Sequence, residues 1–208
     1  MTETRQDTID FTVMYATHDA FRRDLDRLVA VADAGLAGSP QVGAGWENFK
    51  KQLHIHHTVE DADLWPRVRR AVAGREEELA LLAEMEAEHA LLDPPLQAVD
   101  RAITGDRADL PRLARELSAV LVAHMQHEEE AALPLIQSVL THADWRGFRG
   151  AMARAQGIKG VAVYIPWIVD ARPLADRKKF LNMMPAPARL LNRLAWEPRY
   201  RKRTLWQS

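Results

Sequence analysis

Along the first two-thirds of the chain, apolar residues return every three or four positions in four long stretches. The period-two alternation that marks strands is scarce. The pattern predicts helices over about 11–34, 46–73, 75–104 and 109–140. They are separated by the glycine-rich stretch from Gly35 to Gly45, by Gly74 and by Gly105-Asp106, and Pro111 suits the first turn of the fourth. Pro94-Pro95 predicts a kink or break within the third. Short connections between long helices favour an all-α fold, an antiparallel up-down four-helix bundle.

The stretches repeat. Displacing the second by 68 residues lays Phe49, Leu53, His56, Glu60, Asp61 and Pro66 on Leu117, Leu121, His124, Glu128, Glu129 and Pro134. The first and third each carry a histidine, His18 and His89, placed 38 and 35 residues before His56 and His124. A duplicated helix pair follows, with one histidine on its first member and a His-x-x-x-Glu on its second.

Residues four apart on a helix lie one turn along and only about 40° around, so His56 and Glu60 share a face, as do His124 and Glu128. Phe49 and Leu53 lie on the first of these stripes and Leu117 and Leu121 on the second, which directs the polar residues inward. Buried imidazoles and carboxylates are costly without partners, and converging them at one depth satisfies them most simply with cations. Histidine with carboxylate suits iron or another first-row transition metal, whereas calcium and magnesium favour all-oxygen cages. Each half supplies His, His and Glu, which leaves open positions where dioxygen, peroxide or nitric oxide would bind. Glu60 and Glu128 are the candidate bridges between two metals.

One His-x-x-x-Glu is ordinary helix-surface pairing. Two at a fixed offset, with matching leucines and prolines, are not. Ferritin-like bundles need a Glu-x-x-His on each of two helices, and here it occurs as Glu86-x-x-His89 without a second copy. The His-Glu-x-x-His of metalloproteases is absent. His54 and His57 sit about 160° and 100° around the helix from His56, so they are expected to face away or sideways. His57 remains an extra-ligand candidate, and His127 and Glu129 are expected to flank the site.

Composition narrows the chemistry. Among 208 residues there is no cysteine, which excludes disulfides, thiolate metal sites and iron–sulfur clusters. The N-terminal MTETRQDTID has no apolar signal core, and no run approaches the roughly 20 apolar residues of a membrane span. The expectation is a cytoplasmic protein. The overall charge of −1 hides a split: residues 1–144 hold 14 Lys and Arg against 26 Asp and Glu, and residues 145–208 hold 14 against 3. That split places a domain border near Asp144–Trp145.

The segments His18-Asp19, His56-x-x-x-Glu60-Asp61-x-x-x-Trp65-Pro66, Glu88-His89 and His124-x-x-x-Glu128-Glu129-x-x-x-Leu133-Pro134 resemble the hemerythrin HHE cation-binding family over about Asp10 to Thr141. In length and in its tail the chain is similar to a group of actinobacterial hemerythrin-like proteins. The resemblance implies a left-handed bundle enclosing two irons with carboxylate and oxo or hydroxo bridges. It also implies His18, His56, Glu60, His89, His124 and Glu128 as the metal set. Oxygen carriers place a second histidine four residues after the first on the third helix, where this chain has Asp93. Their last carboxylate stands five residues after its histidine, the position of Glu129, while Glu128 alone mirrors Glu60 across the repeat.

The expected organisation is a bundle over 10–142 and a basic, tryptophan-rich extension over 145–208 packed upon it. Four of the six tryptophans and five prolines lie in that extension, which has too much apolar surface to stay unfolded. Arg199-Tyr200-Arg201-Lys202-Arg203 raises contact with an anionic membrane surface or nucleic acid, but no nucleic-acid motif accompanies it. The functional expectation is a di-iron protein, monomeric or homodimeric, that binds or turns over dioxygen, hydrogen peroxide or nitric oxide. The alternative is an iron or oxygen sensor, or an iron store, without turnover.

Overall fold

The computed structural model describes residues 8–207; residues 1–7, which hold most of the polar N-terminal segment, and residue 208 lie outside it. The described residues form helices and turns without a strand. In α1 (Thr12–Asp33) the side chains of Met14, His18, Phe21, Leu25, Leu28 and Ala32 are buried, in alternating steps of four and three. That is the seam of a helix packed nearly parallel to its neighbours. The same rhythm runs through α2 (Pro40–Val59) as Val42, Trp46, Phe49, Leu53 and His56, and ends on Glu60.

Helix α2 begins at Pro40 rather than Trp46. Ser39 Oγ accepts the Val42 N–H at 3.1 Å, and Pro40 occupies the first turn, where a missing N–H costs nothing. Glycine persists inside the helix at Gly45 because the Trp206 ring lies over it; a Cβ there would stand 2.6 Å from the indole.

Glu60 then opens a π-turn, Glu60–Leu64, closed by the Trp65 N–H on the Glu60 carbonyl, and α3 (Trp65–Ala71) continues the same rod. Pro66 accounts for the turn. It offers no N–H, and its ring would strike the carbonyl four residues back, so widening the preceding turn relieves both. Helices α4 (Glu76–Leu91) and α5 (Asp93–Thr104) are separated at Leu92, just ahead of Pro94-Pro95. Helix α6 (Leu110–His127) buries Leu110, Ala114, Leu117, Leu121 and His124. Glu128 opens a second π-turn, Glu128–Ala132, ahead of Pro134, and α7 (Leu133–Val139) follows.

These rods form the antiparallel up-down bundle: α1 packs on α2 and α6, and α4 and α5 pack on α6. Its interior has two apolar layers. One contains Phe21, Leu25, Trp46, Phe49, Leu117 and Leu121, the other Leu64, Trp65, Leu82, Met85, Leu133 and Ile136. Between them lie the buried histidines and glutamates.

Helix α8 (His142–Val169) starts with a capping box of Thr141 and Asp144, bends at Gly157 (φ 61°, ψ 172°) and lies against α1 and α2. The left-handed φ is one that glycine adopts without a Cβ clash. Trp145, at one end of α8, meets Phe11 edge-on with centroids 4.9 Å apart. Trp167, at the other end, donates to the buried Asp24 at 2.8 Å, and Asp24 also pairs with Arg23 and Arg27. The chain closes with α9 (Leu174–Asn182), α10 (Ala186–Leu191), a third π-turn (Asn192–Trp196) before Pro198, and α11 (Glu197–Arg201). The Trp206 N–H reaches the Gln41 carbonyl at 3.1 Å. No described helix is long and apolar enough to cross a membrane.

Candidate metal centre

The four-three rhythm that buries leucine elsewhere delivers His18, His56, Glu60, His89, His124 and Glu128 to the middle of the bundle, all nearly or fully inaccessible to solvent. His18 Nε2 lies 3.2 Å from His56 Nε2 and 3.2 Å from Glu128 Oε2. His56 Nε2 is 3.1 Å from Glu60 Oε1, and the other Glu60 oxygen is 3.8 Å from His89 Nε2. Among the described residues three sets have ligand atoms within 4.8 Å of one another: His18, His56 and Glu128; His56, His57 and Glu60; and His57, His89 and His124.

His57 is the residue the sequence pattern under-rated. Its ring stacks on that of His89, with centroids 4.0 Å apart and planes 13° from parallel, and stands edge-on to His124 at 5.2 Å. A position about 100° around from His56 still faces the neighbouring helix when four helices enclose the site. Glu129 points outward, accepting from His18 and Arg22, so Glu128 is the buried carboxylate of its pair. His54 and Asp93 are exposed, on the wall of a polar cleft of about 300 Å³ that reaches His57 and His89.

A ring of outer carboxylates fixes the histidines. An ionised carboxylate can only accept, so each contact below puts a proton on Nδ1 and turns the Nε2 edge of the ring inward. Glu129 accepts from His18 Nδ1 at 2.7 Å, Asp61 from His89 Nδ1 at 2.8 Å, and Glu88 from His124 Nδ1 at 2.8 Å. Asp61 and Glu129 occupy equivalent positions in the repeat, each just after the buried glutamate, and each supports the histidine of the other half. Among these outer partners the repeat breaks once. Glu88 precedes His89, but Thr17 precedes His18, and Thr17 bonds to Tyr164 and to the Val13 carbonyl. His56 Nδ1 therefore has no hydrogen-bond partner among the described residues.

The inner atoms are unsatisfied. Both oxygens of Glu60, Oε1 of Glu128, and Nε2 of His57, His89 and His124 are buried without a hydrogen bond among the described residues, while Glu128 Oε2 meets the His18 ring at 3.2 Å. Groups left this way are costly inside a protein, and clustered lone pairs with fixed tautomers are what a cation takes up. The strain shows in the acidities. Burial and the charges of Glu128 and Asp61 push Glu60 well above the usual carboxylate range. Burial works to raise Glu128 as well, but the His18 cation holds it down to about 2. Burial works to lower His18, yet Glu128 and Glu129 raise it to about 9. Burial and the neighbouring imidazoles press His56 and His57 well below the ordinary histidine value.

Fold and site together define a helical bundle with a histidine–carboxylate cation site at its centre. The family model of the hemerythrin HHE cation binding domain matches residues 10–136, and the chain belongs to that family. No curated protein and no solved structure matches the chain.

Proposed function

We propose that the chain is a cytoplasmic non-haem di-iron protein that binds or reacts with dioxygen, hydrogen peroxide or nitric oxide. The observation that carries this is the run of three overlapping ligand sets with unsatisfied inner atoms, whose two ends, His18–His56–Glu128 and His57–His89–His124, share no residue. His18 and His56 would hold one iron, His89 and His124 the other, with Glu60 and Glu128 spanning the two. His57 is placed to join the second set, supplying there the additional imidazole that position 93 lacks. When bound, the iron pair supplies redox cycling and open coordination positions. The chain's own residues do the rest: Glu129, Asp61 and Glu88 hold the imidazole tautomers, and the apolar layers above and below exclude water. The cleft beside His57 and His89 gives small ligands an approach. In this reading residues 10–142 form the metal-binding bundle and residues 145–208 its cover.

The test is exposure of the iron-loaded protein to dioxygen, to hydrogen peroxide and to nitric oxide, each in large excess. Many turnovers, with the starting optical spectrum restored, support reactivity; a stable stoichiometric adduct supports binding. No spectral change and no consumption with any of the three ligands contradicts the proposal.

A further inference from the structure

Between the bundle and α8–α9 lies a cavity of about 220 Å³. Its walls are mostly apolar: Trp145, Phe148 and Phe180 contribute rings, and Met152, Met183 and Met184 contribute flexible thioethers, while Gln156, whose Oε1 is buried without a partner among the described residues, and the exposed Arg149 add polar groups at its edge. One polar ring reaches it from the metal centre, that of His56. The Nε2 edge of His56 faces Glu60 and His18, while Nδ1, on the other side of the ring, is buried and unpartnered. With Nε2 given to a cation, Nδ1 carries the proton and is a donor without an acceptor.

We propose that this cavity binds a single-ring aromatic alcohol, phenol in its simplest form, whose oxygen accepts the His56 Nδ1 proton. The inference rests on the proposed metal centre for the tautomer of His56, and on the cavity itself for the rest. Size selects one ring: an apolar cavity of ~150 Å³ accepts benzene, and the volume here leaves room for a substituent. The walls select an aromatic over an aliphatic guest, because ring edges and polarisable sulfur pack favourably on a π-face. An unpartnered buried donor, His56 Nδ1, and an unpartnered buried acceptor, Gln156 Oε1, lining the same cavity select a hydroxyl, which can accept and donate, and a concave, mostly apolar site with few polar groups is the usual form of a small-molecule pocket. The break in the repeat points the same way. Where the other half spends a glutamate on its histidine, this half leaves His56 unpaired and has Thr17 and Tyr164 hydrogen-bonded to each other on the cavity wall.

The test is calorimetric titration of the purified full-length protein with phenol and with toluene, with iron content measured on the same samples. Ala153 is exposed on the cavity wall, so Ala153→Trp should obstruct the cavity without disturbing the core. The expected result is one saturable phenol site, weakened at least tenfold in Ala153→Trp, with toluene about 2- to 10-fold weaker than phenol for want of the hydroxyl. Absence of saturable binding, or binding unchanged in Ala153→Trp, overturns the proposal. Toluene binding as well as phenol overturns the role of His56. Phenol binding that Ala153→Trp removes from a protein without iron would leave the pocket standing and remove the di-iron reading instead.

Discussion

Glu88 Oε2 accepts the Nδ1 proton of His124 at 2.8 Å, and through its other oxygen the same carboxylate accepts from His127 at 2.7 Å. One glutamate on α4 thereby fixes the ring of a buried histidine on α6. Outer carboxylates of this kind change metal affinity by roughly 10- to 100-fold when removed. Glu88→Ala is expected to lower iron affinity by that order while leaving the helical circular dichroism unchanged, as competition with a chelator would measure.

The buried glutamates should behave differently from the residues around them. Glu60→Ala or Glu128→Ala removes an anion placed between the two histidine sets, and each is expected to lose the whole centre rather than half of it. Asp93→Ala, at an exposed position on the cleft wall, is expected to keep all of its iron. Elemental analysis of the three purified variants separates these outcomes.

Proton release on metal loading follows from the acidities. In the metal-free protein His18 holds its proton up to about pH 9, and Glu60 is protonated well above the usual carboxylate range. Both must be deprotonated to ligate, so loading at pH 7.5 should release the His18 proton, and affinity should rise with pH up to about 9. The sign for stability is opposite. A histidine raised from 6.5 to about 9 stabilises the metal-free fold fully below pH 6.5, and that contribution is lost as pH rises through about 9. Loading in weakly buffered solution with a pH indicator measures the release, and no proton release at pH 7.5 would contradict the assigned protonation.

Gly45 and Trp206 should be energetically coupled. A methyl at position 45 meets the indole at 2.6 Å, so Gly45→Ala is expected to destabilise by ~1–3 kcal/mol through overpacking. Trp206→Ala removes the obstacle, and in that background the glycine replacement should cost far less. A double-mutant cycle by urea denaturation reads the coupling directly.

Much of this was legible from spacing. The bundle could be read because the buried positions of α1, α2 and α6 keep a four-three rhythm, and the inward His-x-x-x-Glu pairs fall on that rhythm instead of departing from it. What escaped depends on neighbours in space. His57 looks lateral on its own helix and enters the cluster only because His89 and His124 stand beside it. Helix α2 extends back through Gly43 and Gly45, which read as a loop, and at Gly45 it is Trp206, far along the chain, that needs the space. The π-turns carry a local signal: each opens six residues before a proline, at Glu60 and Pro66, Glu128 and Pro134, and Asn192 and Pro198. The outer carboxylates Asp61 and Glu88 belong to the repeat and to the Glu-His pair, but which histidine each supports is fixed only by how the helices face one another.

The central claim is the nuclearity of the centre. Protein purified after expression in iron-replete medium should be assayed for metals and its optical spectrum recorded before and after reduction. The account predicts two irons per chain, with near-ultraviolet charge-transfer bands of a bridged pair that bleach on reduction and return with oxygen. A single zinc, or no tightly held metal, would contradict it.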